Sequence, residues 1–157
     1  MRTREVLEYM GYDEDEINKR ESMSRDELNV YYAALDESRR KEAEEKNEKF
    51  ILEFCLKADI AHRMNSGKYT RDELRAHRDE VLAAFGRGEK FYDESYIGKY
   101  KSMIEFEDVK KKMNNEETYL IDVNRLPSEN ERIYMIQTQL EFEKIQQSLS
   151  QDGGMTF

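Results

Sequence analysis

Punctuation is what this sequence lacks. Its 157 residues include a single proline, Pro127, and seven glycines. Tight turns draw mainly on these two residue types, glycine for positive φ and proline for its locked φ. An all-β chain needs a turn roughly every 8–12 residues, far more than these few residues supply. The expected fold is therefore all-α: a bundle of about five helices in one domain over residues 1–157, one of them long, charged and partly projecting.

Helix starts are marked where stops are scarce. Thr3 can open a short first helix with Val6, Leu7 and Met10 on its apolar side, and Gly11 can end it. Tyr12 to Ser22 has only Ile17 as an apolar anchor and reads as a short helical turn or loop. Three capping boxes follow, Ser24 with Glu27, Thr70 with Glu73 and Ser128 with Glu131; in each, the hydroxyl accepts from an early backbone N–H and the acid reaches back to the cap. The third leads into Ile133, Ile136, Leu140, Ile145 and Leu149. Met135, Phe142 and Leu149 recur there every seven residues with Ile145 between, a spacing that permits a coiled-coil seam. Another helix is expected through Tyr96, Ile97, Tyr100, Met103, Ile104 and Val109, weakened by Gly98. Residues 118–126, TYLIDVNRL, read as extended, with a short extended segment near 118–124. The tail 151–157, QDGGMTF, is flexible by composition.

The helix opened by Ser24 raises a question of its own. Asp36 to Lys49, DESRRKEAEEKNEK, contains no large apolar side chain, yet NVYYAAL precedes it and FILEFCLKADIA follows. Leu28, Tyr32, Leu35, Ala43, Phe50, Phe54, Ala58 and Ala61 keep one 3.6-residue phase across the gap. A flexible linker has no reason to hold helical phase or to avoid glycine and proline. Ala, Glu, Lys and Arg are strong helix formers, and acid–base pairs four apart (Asp36 with Arg40, Glu37 with Lys41, Glu42 with Lys46, Glu45 with Lys49) each add ~0.2–0.5 kcal/mol. A single helix from Arg25 to Asn65 would be roughly 60 Å long at 1.5 Å per residue.

Composition and charge exclude several classes. The formal net charge is −9, unevenly placed: 10 basic and 15 acidic residues lie in Met1 to Phe50, 13 and 12 in Ile51 to Asn115, and 3 and 8 in Glu116 to Phe157. Anionic ends disfavour nucleic acid as a partner. The start, MRTREVLEYM, is too interspersed with charge for a signal peptide or a membrane span, and no membrane partner is expected. The lone Cys55 rules out an intramolecular disulfide and suits a reducing compartment, so a cytoplasmic location is expected.

Catalytic signatures are missing where they would be sought. Asp59 and His62 are three apart, but a helix-bundle metal site needs a second Glu-x-x-His, which the chain lacks; Glu73 and His77, four apart, read as an ordinary surface pair. Asp13 to Asn18 begins like a calcium loop but has Asn18 where glycine and Ser24 where glutamate should stand. Gly86 and Gly88 follow a helix and lack the ending of a phosphate loop. No cofactor, no metal and no enzymatic activity are expected. The nucleic-acid hint is Lys90 to Lys101, where Tyr92, Tyr96 and Tyr100 recur between Lys90, Lys99 and Lys101; it reads better as a buried aromatic face edged by lysines.

The function expected is therefore a non-enzymatic protein-binding module, an acidic helical protein that binds or inhibits a partner with a basic surface, such as a nucleic-acid groove. Candidate contact residues are Glu37, Glu44, Glu45 and Glu48 on the long helix with Tyr31 and Tyr32 beside them. The alternative is a structural or assembly subunit, virion-type or scaffold-like, forming helical homo-oligomers; the second alternative is weak nucleic-acid binding through Lys90 to Lys101.

Overall fold

The structure is a computed structural model, and it describes residues 3–116 and 119–151. Among these the regular elements are all helical: α1 Thr3–Tyr9, α2 Glu14–Glu21, α3 Arg25–Ser66, α4 Arg71–Gly86, α5 Glu94–Lys99, α6 Lys101–Met113 and α7 Glu129–Gln151, with one 3-10 turn at Val123–Arg125. The all-α expectation holds, and α3 runs unbroken through the polar interval for 42 residues. Two helices exceed the expected five. Asp13 caps α2 by accepting from the Glu16 N–H at 2.8 Å, enough to organise a segment with one apolar anchor. The helix expected over residues 96–113 is divided at Tyr100, and Asp93 caps the first piece by accepting from the Tyr96 N–H at 2.8 Å.

The chain forms two compact units, Met1–Arg40 with Asn124–Phe157, and Lys41–Val123. In the first, Val6, Leu7 and Ile17 are buried, and α1 packs on α2 and α7. In the second, the core is Leu52, Cys55, Leu56, Val81 and Tyr92, with Ile51, Phe54, Ile60, Phe85, Phe91, Tyr96 and Ile97 packed around it. At about 1.5–3 kcal/mol for each large apolar side chain fully buried, this cluster outweighs every surface pair on α3. It also moves the buried line of α3. The single phase through Phe54, Ala58 and Ala61 gives way to Leu52, Cys55 and Leu56 as the deepest residues, and Ala61 is exposed.

Two of the three expected capping boxes close on both sides, and the third is shown on one side. Ser24 Oγ accepts from the Glu27 N–H at 3.2 Å while the Glu27 carboxylate accepts from the Ser24 N–H at 3.3 Å. The Thr70–Glu73 box is likewise complete. Ser128 Oγ accepts from the Glu131 N–H at 3.1 Å.

Residues 119–126 form no strand, which corrects the extended reading. The Ile121 backbone is held by the Asn47 side-chain amide, which donates to its carbonyl and accepts from its N–H, both at 2.8 Å. Asp108 accepts from the Leu120 N–H at 2.7 Å. Side chains thus supply the hydrogen bonds that a neighbouring strand would. Thr118 and the tail residues 152–157 lie outside the described residues.

Candidate protein-contact surfaces

In the first unit, a buried polar cluster sets the position of α7. Glu129, the first residue of that helix, is fully buried. Its carboxylate accepts from Tyr12 Oη at 2.5 Å and from Arg39 Nη1 at 3.3 Å, and its backbone N–H donates to Asp36 Oδ1 at 2.8 Å. Arg20, also buried, brings Nη1 within 3.0 Å of Glu129 Oε2 but off the hydrogen-bond direction, so the attraction there is Coulombic. The Arg20 guanidinium is surrounded by the rings of Tyr12, Tyr32 and Tyr31, at 4.0, 5.1 and 5.7 Å, a cation–π enclosure that suits a desolvated arginine. Burial works to raise the pKa of Glu129, but the hydrogen bonds from Tyr12 and Arg39 and the nearby guanidinium charges outweigh it and hold the carboxyl below its ordinary range.

So fixed, α7 packs on α1, tied by Lys144 Nζ to Glu5 Oε1 at 3.2 Å and by Gln139 Nε2 donating to Tyr9 Oη at 3.3 Å. Its half-buried residues Ile133, Ile136 and Leu140 lie on one side. On the other side Tyr134 is 69% exposed, and Met135, Phe142 and Ile145 are 61%, 59% and 57% exposed. At 100° per residue these four fall within an arc of about 100°. This helix therefore has two apolar faces, one of them open to solvent.

The second unit repeats the theme on α6. Ile104 is buried, whereas Phe106, Val109 and Met113 follow one another on the outer side at 70%, 54% and 78% exposure. Beside them a groove of about 320 Å³ lies between α3 and α6, floored by Phe50, Phe54, Ala58 and Met103 and rimmed by Glu53, Lys57, Glu107 and Lys111. Charges of both signs on the rim leave the groove nearly neutral.

The contact residues expected from sequence are scattered in role. Tyr32 is buried and Tyr31 half-buried, both facing Arg20, and the Tyr31 hydroxyl donates to Glu16. Glu37, Glu44 and Glu45 are exposed, with Glu37 paired to Arg40 at 2.6 Å. The Glu48 carboxylate pairs with Lys90 Nζ at 3.0 Å, and its carbonyl accepts from Tyr92 Oη at 3.0 Å. Of the four acid–base pairs expected along the interval, Glu42–Lys46 forms at 3.8 Å, while Asp36 is turned to Glu129 and Arg40 to Glu37.

Other candidates are also placed. His77 does not pair with Glu73, which closes its capping box; Nε2 lies 2.7 Å from Asp59 Oδ2, where Arg63 Nε also donates at 3.0 Å. His62 is exposed, and among the described residues no three metal-ligating side chains converge. Tyr92 is buried and Tyr96 lies among Phe91, Tyr100 and the core; Lys90 is paired with Glu48 and Lys99 rests over the Tyr100 ring. These tyrosines are spent on packing. No helix among the described residues is long and apolar enough to cross a membrane. Sequence reasoning missed the open faces of α6 and α7 as candidates, although the seven-residue recurrence of Met135 and Phe142 carried the signal for one of them.

Comparison with known proteins finds no matching family, no matching curated protein and no matching solved structure.

Proposed function

We propose that this chain is a non-enzymatic protein-binding module that docks partner proteins on apolar helix faces. The observation that supports it is the pair of outward apolar lines, Phe106, Val109 and Met113 on α6 and Tyr134, Met135, Phe142 and Ile145 on α7, each presented by a helix whose other side is anchored. Large apolar side chains gathered on one face mark contact sites, whereas scattered single ones do not. The acidic residues of α3 act in this reading as a soluble, steering surround, since Glu37, Glu42 and Glu48 already have basic neighbours within the chain.

A photo-reactive phenylalanine analogue at Phe106, with the same group at exposed Arg71 as control, tests the reading in cells that make the protein. A discrete protein adduct at position 106 and none at 71 is expected. Adducts absent from position 106, or identical at both positions, would overturn it. A second reading, an assembly subunit, differs in the partner being another copy, and the seven-residue spacing on α7 favours it for that face.

A further inference from the structure

We infer that the open face of α7 is covered by α7 of a second copy, so that the protein pairs through this helix. The inference rests on the reading that exposed apolar helix faces are contact faces, and it names the occupant of one of them.

Spacing carries the first part of the case. Met135, Phe142 and Leu149 occupy successive first positions of a heptad and Thr138 and Ile145 its fourth positions, the pattern whose side chains seat between those of a like helix. Within α7 the half-buried Ile133, Ile136 and Leu140 lie on the side away from the exposed Met135, Phe142 and Ile145, while Leu149 of the seam is already half-buried and Gln139 at its edge donates to Tyr9 of α1. A second helix can therefore lie over the open side from Met135 to Ile145.

Area carries the second. Taking about 150–250 Å² for a large side chain, Tyr134, Met135, Phe142 and Ile145 at more than half exposure present on the order of 500 Å². That is near the top of the ~300–600 Å² typical of the largest apolar patch on a monomer. With the exposed Thr138 and Gln146 beside it, the face moves toward the ~800 Å² that each partner contributes to a standard interface.

Charge decides between a second copy and an unlike partner. The chain carries −9 overall, and two copies repel over most of their surface. The positions flanking this seam are Gln139, whose amide donates to Tyr9 and Glu143 within the chain, with Gln146 and Ser148, all neutral; Glu141 is the one carboxylate and Glu131 lies a turn beyond the N-terminal end. A face built for a basic partner would carry acids along its edges; this one carries amides, which tolerate a copy of themselves.

Sedimentation equilibrium of the full chain over a wide concentration range tests the proposal. A monomer–dimer equilibrium is expected, weakened at least about tenfold in Phe142→Glu/Ile145→Glu and unchanged in Phe106→Glu. Thr138→Leu, which fills the polar position of the seam, should tighten it about tenfold or more, a gain that a folding defect cannot imitate. Far-ultraviolet circular dichroism checks that each variant keeps its helices. A chain that stays monomeric throughout, a dimer indifferent to the Phe142/Ile145 change, or one that Thr138→Leu fails to strengthen would each overturn the proposal. None of these results bears on the Phe106 adduct, so failure here and failure of the protein-binding reading remain distinguishable.

Discussion

Glu129 is a carboxylate with no exposure to solvent at the first position of α7. Its carboxylate is fully buried against Arg20, Tyr12 and Arg39. Removing its charge breaks the buried Arg20–Glu129 pair and leaves the guanidinium only Glu16, whose Oε1 accepts from Arg20 Nε at 3.1 Å, so the loss falls at or below the about 3–5 kcal/mol of a broken buried pair. Glu129→Gln should therefore lower stability by up to about 3–5 kcal/mol in urea denaturation, and with it the placement of α7. Because the folded-state pKa is depressed, the stabilisation is fully present above the unfolded carboxyl value, about 4.3, and is lost as pH falls through the lower folded value. Denaturation midpoints measured across acid pH should show this decline in the native chain and a flatter one in Glu129→Gln. Cys55 behaves oppositely: burial alone pushes its thiol up to about 11. A thiol reagent at pH 8 should leave it unmodified in the native protein and label it fully in denaturant.

For single elements, the polar interval of α3 is a helix stabilised from several small sources. Intrinsic propensity runs through it, the Glu42–Lys46 and Glu37–Arg40 pairs add tenths of a kcal/mol each, and Ala43 is buried within it. Asp36, Arg39 and Asn47 spend their polar groups on the chain itself. Glu45, exposed on this stretch, separates propensity from packing. Glu45→Ala should be neutral within about 0.5 kcal/mol, while Glu45→Gly should cost about 1 kcal/mol from backbone entropy. Thermal denaturation followed by circular dichroism reads both. Thr70→Ala opens the capping box of α4 and should cost a similar ~1 kcal/mol.

Taken as a whole molecule, the net charge of −9 and the open apolar faces respond to salt in opposite ways. Docking of an acidic surface on a basic partner weakens as salt screens the attraction. Pairing of two like-charged copies through an apolar face strengthens, since salt screens their repulsion. Raising ionic strength should thus lower the dissociation constant of the α7 dimer in the same sedimentation experiment, and the thermal midpoint should rise with protein concentration because association stabilises the folded state.

Helical content, the caps at Ser24, Thr70 and Ser128 and the continuity of α3 were legible from residue order, because each depends on neighbours within about one or two helical turns. The recurrence of Met135, Phe142 and Leu149 every seven residues on α7 was visible there too. The buried cluster was not: Tyr12 and Arg39 meet Glu129 across 117 and 90 residues, and nothing local distinguishes that glutamate from the exposed Glu131 two positions on. For the same reason Tyr31 and Tyr32 read locally as contact residues although both rings face the Arg20 guanidinium, and residues 119–126 read as extended although Asn47 and Asp108 hold their backbone. Local chemistry thus determined which segments coil, while only tertiary packing decided which charges are buried and which apolar faces stay open, since burial depends on partners brought together from distant parts of the chain.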